Sequence, residues 1–89
     1  METILFLFSS QSNFAKYGNL ASAVNDYGHK VESKVEESPD LKEIENSEYL
    51  LVFTDELPEG NKNSKFRLLK NLTADEIIND INVQLCEAN

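Results

Sequence analysis

Two continuous apolar pentads, Ile4-Leu5-Phe6-Leu7-Phe8 and Tyr49-Leu50-Leu51-Val52-Phe53, constrain this chain more than any other feature. Each is too short for a core helix and shows no polar alternation. That pattern belongs to a strand covered on both faces, as in a parallel sheet sandwiched by helices. Phe6 and Leu51 are the residues expected to be nearly fully buried.

The segments between and after the pentads supply helices and weaker strands. Phe14, Tyr17, Leu20, Ala21, Val24 and Tyr27 recur at steps of three and four, one apolar helical stripe. Ser12 or Asn13 is the expected N-cap, with Gly28 just past the C-terminus. Val31, Ser33 and Val35 alternate with charged residues, the pattern of a half-exposed edge strand. Ser38 and Pro39 read as the cap and first position of a short helix that turns Leu41 and Ile44 inward. Pro58, Gly60, Asn61 and Asn63 form a turn. Phe66 and Leu68 then suggest a fourth strand, folded back antiparallel through that turn. Thr73 and Glu76 form a capping box, and Ile77, Ile78, Ile81 and Leu85 make the inner face of a last helix.

The expected fold is a single α/β domain over residues 1–89, β-α-β-α-β-β-α. Strand–helix–strand units require right-handed crossovers. The simplest sheet is therefore mixed, four-stranded, in order 2-1-3-4 with the last strand antiparallel.

Charge is the second constraint. Between Glu32 and Glu59 stand ten acids against Lys34 and Lys42, whereas the rest of the chain is balanced, six against six. The whole net charge of −8 thus lies in one middle segment. Such a surface disfavours direct contact with nucleic acid or an anionic membrane and favours a basic partner. Glu32, Glu36, Glu37, Asp40, Glu43, Asp55, Glu56 and Glu59 are the candidate partner-binding residues.

Catalytic chemistry finds little support. Cys86 is the single cysteine, so an internal disulfide is excluded. His29 is the single histidine and has no adjacent nucleophile. Asp55, Glu56 and Glu59 lack the spacing and glycine of a calcium loop, and no metal is expected. The acid pairs Glu36-Glu37, Asp55-Glu56 and Asp75-Glu76 are sequence neighbours, which point apart. No Walker loop, dinucleotide fingerprint or nucleophile elbow occurs. The reading is of a non-enzymatic protein without a cofactor. With no signal peptide and no span of transmembrane length, a cytoplasmic location is expected.

Two resemblances bear on function. The strand and loop Ile4 to Asn13, with Gly28-His29-Lys30-Val31-Glu32 and Tyr49 to Phe53 downstream, resemble the first half of flavodoxin-like proteins. That likeness implies a phosphate or FMN site at Ser9, Ser10, Ser12 and Asn13, although Ser12 stands where the family has glycine. A thioredoxin-like element order is also compatible, but no Cys-x-x-Cys follows the first strand. In size, acidity and Trp-free make-up, the chain resembles the small acidic DNA-mimic inhibitors that phages encode, including the anti-restriction type called Arn. That resemblance implies an inhibitor of a basic DNA-binding protein, such as a nucleoid protein or restriction enzyme, working in the host cytoplasm. A homodimer would double the length of the acidic array.

Overall fold

The computed structural model describes residues 3–57 and 65–88. The elements are β1 (Thr3–Phe8), α1 (Gln11–Tyr27), β2 (Lys30–Val35), α2 (Leu41–Glu45), β3 (Tyr49–Thr54), β4 (Phe66–Leu68) and α3 (Ala74–Ala88). The sheet has the order β2-β1-β3-β4, and each pairing is parallel.

β1 and β3 lie at the centre, and their alternating side chains build two cores. Ile4, Phe6, Phe8, Leu51 and Phe53 face α1 and α3, where Ala21, Val24, Ile77 and Ile81 meet them. Leu5, Leu7 and Val52 face the other way, against Ile44 of α2 and Phe66. Phe6 and Leu51 are 0% and 1% exposed, as expected of double-sided burial. β2 is an edge strand whose Val31 and Val35 turn toward α1 and α3. Its Lys30, Glu32 and Lys34 remain exposed, which blunts the open edge.

The antiparallel direction expected for the fourth strand is wrong. Val52 pairs with Phe66 and Thr54 with Leu68 in parallel register. The Val52 N–H donates to the Lys65 carbonyl, and the Leu69 N–H donates to that of Thr54. The side chain of Lys65 supplies the physical reason. Its ammonium donates to the carbonyls of Ile44, Glu45 and Ser47 at 3.3, 3.2 and 2.7 Å. Those carbonyls lie at the end of α2, just before β3 begins, where a helix leaves its acceptors without intrahelical donors. Lys65, just before β4, is thereby tied to the chain that enters β3, so β4 runs on from there beside Val52 to Thr54 in the same direction. The turn residues Pro58, Gly60, Asn61 and Asn63 lie outside the described residues.

Two helix starts also differ from expectation. Ser10, not Ser12 or Asn13, caps α1, its hydroxyl accepting from the Asn13 N–H at 3.2 Å. Asp40, not Ser38, caps α2 by accepting from the Glu43 N–H at 3.1 Å. In both cases the group that caps is an oxygen three residues before the N–H it serves. Gly28 ends α1 with φ 124°, a conformation L side chains rarely adopt. The capping box forms as expected: Glu76 N–H donates to Thr73 Oγ1, and Thr73 N–H to Glu76 Oε1.

Candidate functional site

Order 2-1-3-4 places a topological switch point between β1 and β3. Connections leave these two strands in opposite directions, which opens a crevice beyond their carboxyl ends. The residues at that point are Ser9, one step past β1, and Asp55, one step past β3.

They are bonded to each other. The Ser9 N–H donates to both Asp55 carboxylate oxygens at 3.0 and 3.1 Å, and the Ser9 hydroxyl donates to Oδ2 at 2.7 Å. The Asn13 amide, on the first turn of α1, donates to the same oxygen. Burial pushes the Asp55 carboxyl upward, but the bonds from Ser9 and Asn13 outweigh it and hold the group below the usual carboxylate range. Asp55 therefore remains an anion at neutral pH.

This geometry bears directly on Ser9, Ser10, Ser12 and Asn13 as a phosphate cradle. A hydroxyl-rich loop opening a helix is a natural seat for an anion, and here the chain supplies its own. Ser9 and Asn13 give donors to Asp55, while the Ser10 hydroxyl serves as the helix cap. Ser12 is exposed on the first turn. A phosphate bound there would have to displace a carboxylate held by several hydrogen bonds.

The acidic residues of the middle segment fall into two adjoining concavities. Glu36, Asp40 and Glu43 line a shallow one between the β2 edge and α2, together with Lys34 and Tyr49. Glu36, Glu37, Asp55 and Glu56 line the larger crevice, about 580 Å³, at the carboxyl ends of the strands. Glu36 belongs to both. Glu32 sits beyond them on β2, accepting a 2.6 Å hydrogen bond from the Tyr49 hydroxyl. That bond, with burial, raises the Tyr49 pKa. Lys34 lies 5.9 Å from the centre of the Tyr49 ring. Tyr49 first, and then Glu32 and Glu36, raise the Lys34 pKa, so this cation interrupts the acidic array. Glu59 lies outside the described residues.

Sequence reasoning missed two parts of this site. One is the inward turn of Asp55, whose partner Ser9 lies 46 residues away and so leaves no local signal. The other is the apolar floor of the larger crevice, made by Leu7, Leu41, Leu57 and Leu68. Leu68 is 45% exposed, high for a leucine in a strand. Among the described residues, no group of three or more His, Cys, Asp or Glu side chains is placed to hold a metal ion. Nor is any helix among them long and apolar enough to cross a membrane. In comparisons with known proteins, the chain matches no protein-family profile, and no curated protein matches it in sequence.

Proposed function

We propose that this protein is a non-enzymatic acidic binder that occupies the basic surface of a DNA-binding protein, in the manner of a DNA mimic. The observation that supports this most is the adjacency of two acid-lined concavities sharing Glu36. Asp55, which the anion-seat reading of the Ser9–Asn13 loop left out, supports it further, because it fills that seat with negative charge. A surface of this kind steers basic partners and repels nucleic acid.

The test is displacement of a fluorescent DNA duplex from nucleoid proteins and restriction enzymes. For the true target, the wild-type protein should release the duplex. Release should weaken steeply with added salt, since the screening length falls from about 10 Å at 0.1 M to about 3 Å at 1 M. Converting Glu36, Glu37 and Glu43 together to lysine should weaken competition about a hundredfold, on the scale measured for close interfacial charges. Glu32 is left alone because of its bond to Tyr49. Lysine at the exposed Asp26 and Glu87 is the control and should leave competition unchanged. Salt-independent competition, or a charge-reversed variant as potent as the wild type, would refute the reading.

We further propose that the working form is a homodimer, because a two-fold axis extends the array without new sequence. Light scattering should report about twice the 10.1 kDa chain mass at micromolar concentration. A steady monomer mass over that range would remove the dimer and leave the binding proposal standing.

A further inference from the structure

The larger crevice differs from the rest of the acidic surface in having an apolar floor. α2 is short beside the strands that it covers. Five residues of helix extend only about 7–8 Å, whereas the six-residue strands beneath run roughly 20 Å. Ile44 and Leu41 pack against the cluster of Leu5, Leu7 and Val52. Toward the carboxyl ends, Leu68 stays exposed, and the floor opens between α2 and the segment that leaves β3.

The rim chemistry is one-sided. Glu36, Glu37, Asp55 and Glu56 stand against Lys70 alone among the described lining residues. Both Asp55 oxygens are already hydrogen-bonded, so it contributes field rather than a free acceptor. Glu36, Glu37 and Glu56 are exposed carboxylates. An anion is repelled by this rim. A wholly apolar ligand gains nothing from the acids. A group with an apolar stem and a cationic head satisfies both parts, laying its methylenes on leucine and its charge among the glutamates. Guanidinium suits such a rim better than ammonium, because it is planar, weakly hydrated and able to bridge carboxylates.

We infer that this crevice is the anchor pocket of the interface and receives an arginine side chain of the basic partner. The inference rests on the proposed function above and deepens it. Most of a surface of spread charges then sets encounter rate and salt dependence, while this one pocket sets residence time.

The test uses a short acetylated and amidated peptide carrying two arginines between glycines. A matched peptide replaces each arginine by 2-amino-3-guanidinopropionic acid, which keeps the guanidinium but has one methylene instead of three. Titration is followed by amide chemical shifts of the isotope-labelled protein. The arginine peptide should shift Leu7, Leu41 and Leu68 most. The short-stem peptide should bind about tenfold more weakly, the loss expected for two methylenes returned to water. Leu68→Ser should weaken the arginine peptide about fivefold and leave the short-stem peptide unchanged. Glu37→Gln with Glu56→Gln should weaken both peptides. Equal affinity for the two peptides, with no effect of Leu68→Ser, overturns the anchor. If Glu36, Glu37 and Glu43 reversal still abolishes DNA displacement in that case, the acidic-surface reading survives without it. If neither peptide binds and the reversal has no effect, both readings fall together.

Discussion

Phe53→Ala should remove a large share of the stability of this domain. Phe53 is fully buried in the middle of the sheet, and its ring stacks on Phe6 with centroids 5.3 Å apart. It faces the core that α1 and α3 close, so its loss leaves a void between the sheet and those two helices. Truncations of this kind cost about 3–5 kcal/mol. An 89-residue domain holds roughly 4–13 kcal/mol in total. The urea midpoint should therefore fall by roughly a quarter of its value or more. Tyr27→Ala is the matched comparison: at 60% exposure it should change stability by less than about 0.5 kcal/mol. A Phe53→Ala midpoint equal to that of the wild type would mean that β3 is not a central strand.

Asp55→Ala should have the second-largest effect on stability, and it should depend on pH. The substitution strands the Ser9 N–H and hydroxyl at the crevice between β1 and β3 and removes one of the two acceptors of the Asn13 amide. Losing the acceptor of partly buried donors costs about 1–3 kcal/mol. The sign of the pH dependence follows from the lowered pKa. The unfolded chain binds the proton more readily than the folded one, so the carboxylate contributes fully above its ordinary value of 3.8. Its contribution drains away as pH falls through the lower folded value. Urea midpoints should thus separate wild type from variant at pH 7 and converge in strong acid. Asp55→Asn should fall between the two, since an amide offers one acceptor oxygen and no charge. A deficit that stays constant from neutrality to pH 2 would show that the cost is one of shape rather than of the anion.

The parts of the fold that could be read in advance are those written in local pattern. Ile4 to Phe8 and Tyr49 to Phe53 declare buried strands because an unbroken apolar run has nowhere else to go. Ile77 and Ile81 declare the inner face of α3, and Thr73 with Glu76 its start, because both signals act within one turn. The direction of β4 is different in kind. Phe66 to Leu68 would serve equally well either way round, and a turn-forming sequence just before it favours a hairpin. What decides the matter is Lys65 reaching three carbonyls some twenty residues back in the chain, a contact without local signature. The candidate site divides similarly. Clustering of acids between Glu32 and Glu59 is plain in the sequence, but sequence distance does not say which of them share a concavity. Glu32 proves to be tied to Tyr49, and Asp55 turns inward to Ser9. The leucine floor was hidden for another reason: Leu68 looks like an ordinary core residue in the sequence, yet it stays 45% exposed.

The bond between Ser9 and Asp55 spans 46 residues, and it closes the same gap that separates β1 from β3. During synthesis, β1 leaves the ribosome well before that partner exists. At about 5–20 residues per second the interval is roughly 2–9 s. Through it, the most apolar stretch of the chain has only α1 and β2 for neighbours, and β2 is the most charged strand of the sheet. Translation speed and chaperone supply, rather than final stability alone, then govern the yield of soluble protein. Arrival of Asp55 at Ser9 seats β3 beside β1, and the face of Phe6 and Phe53 closes only when Ile77 and Ile81 of α3 follow.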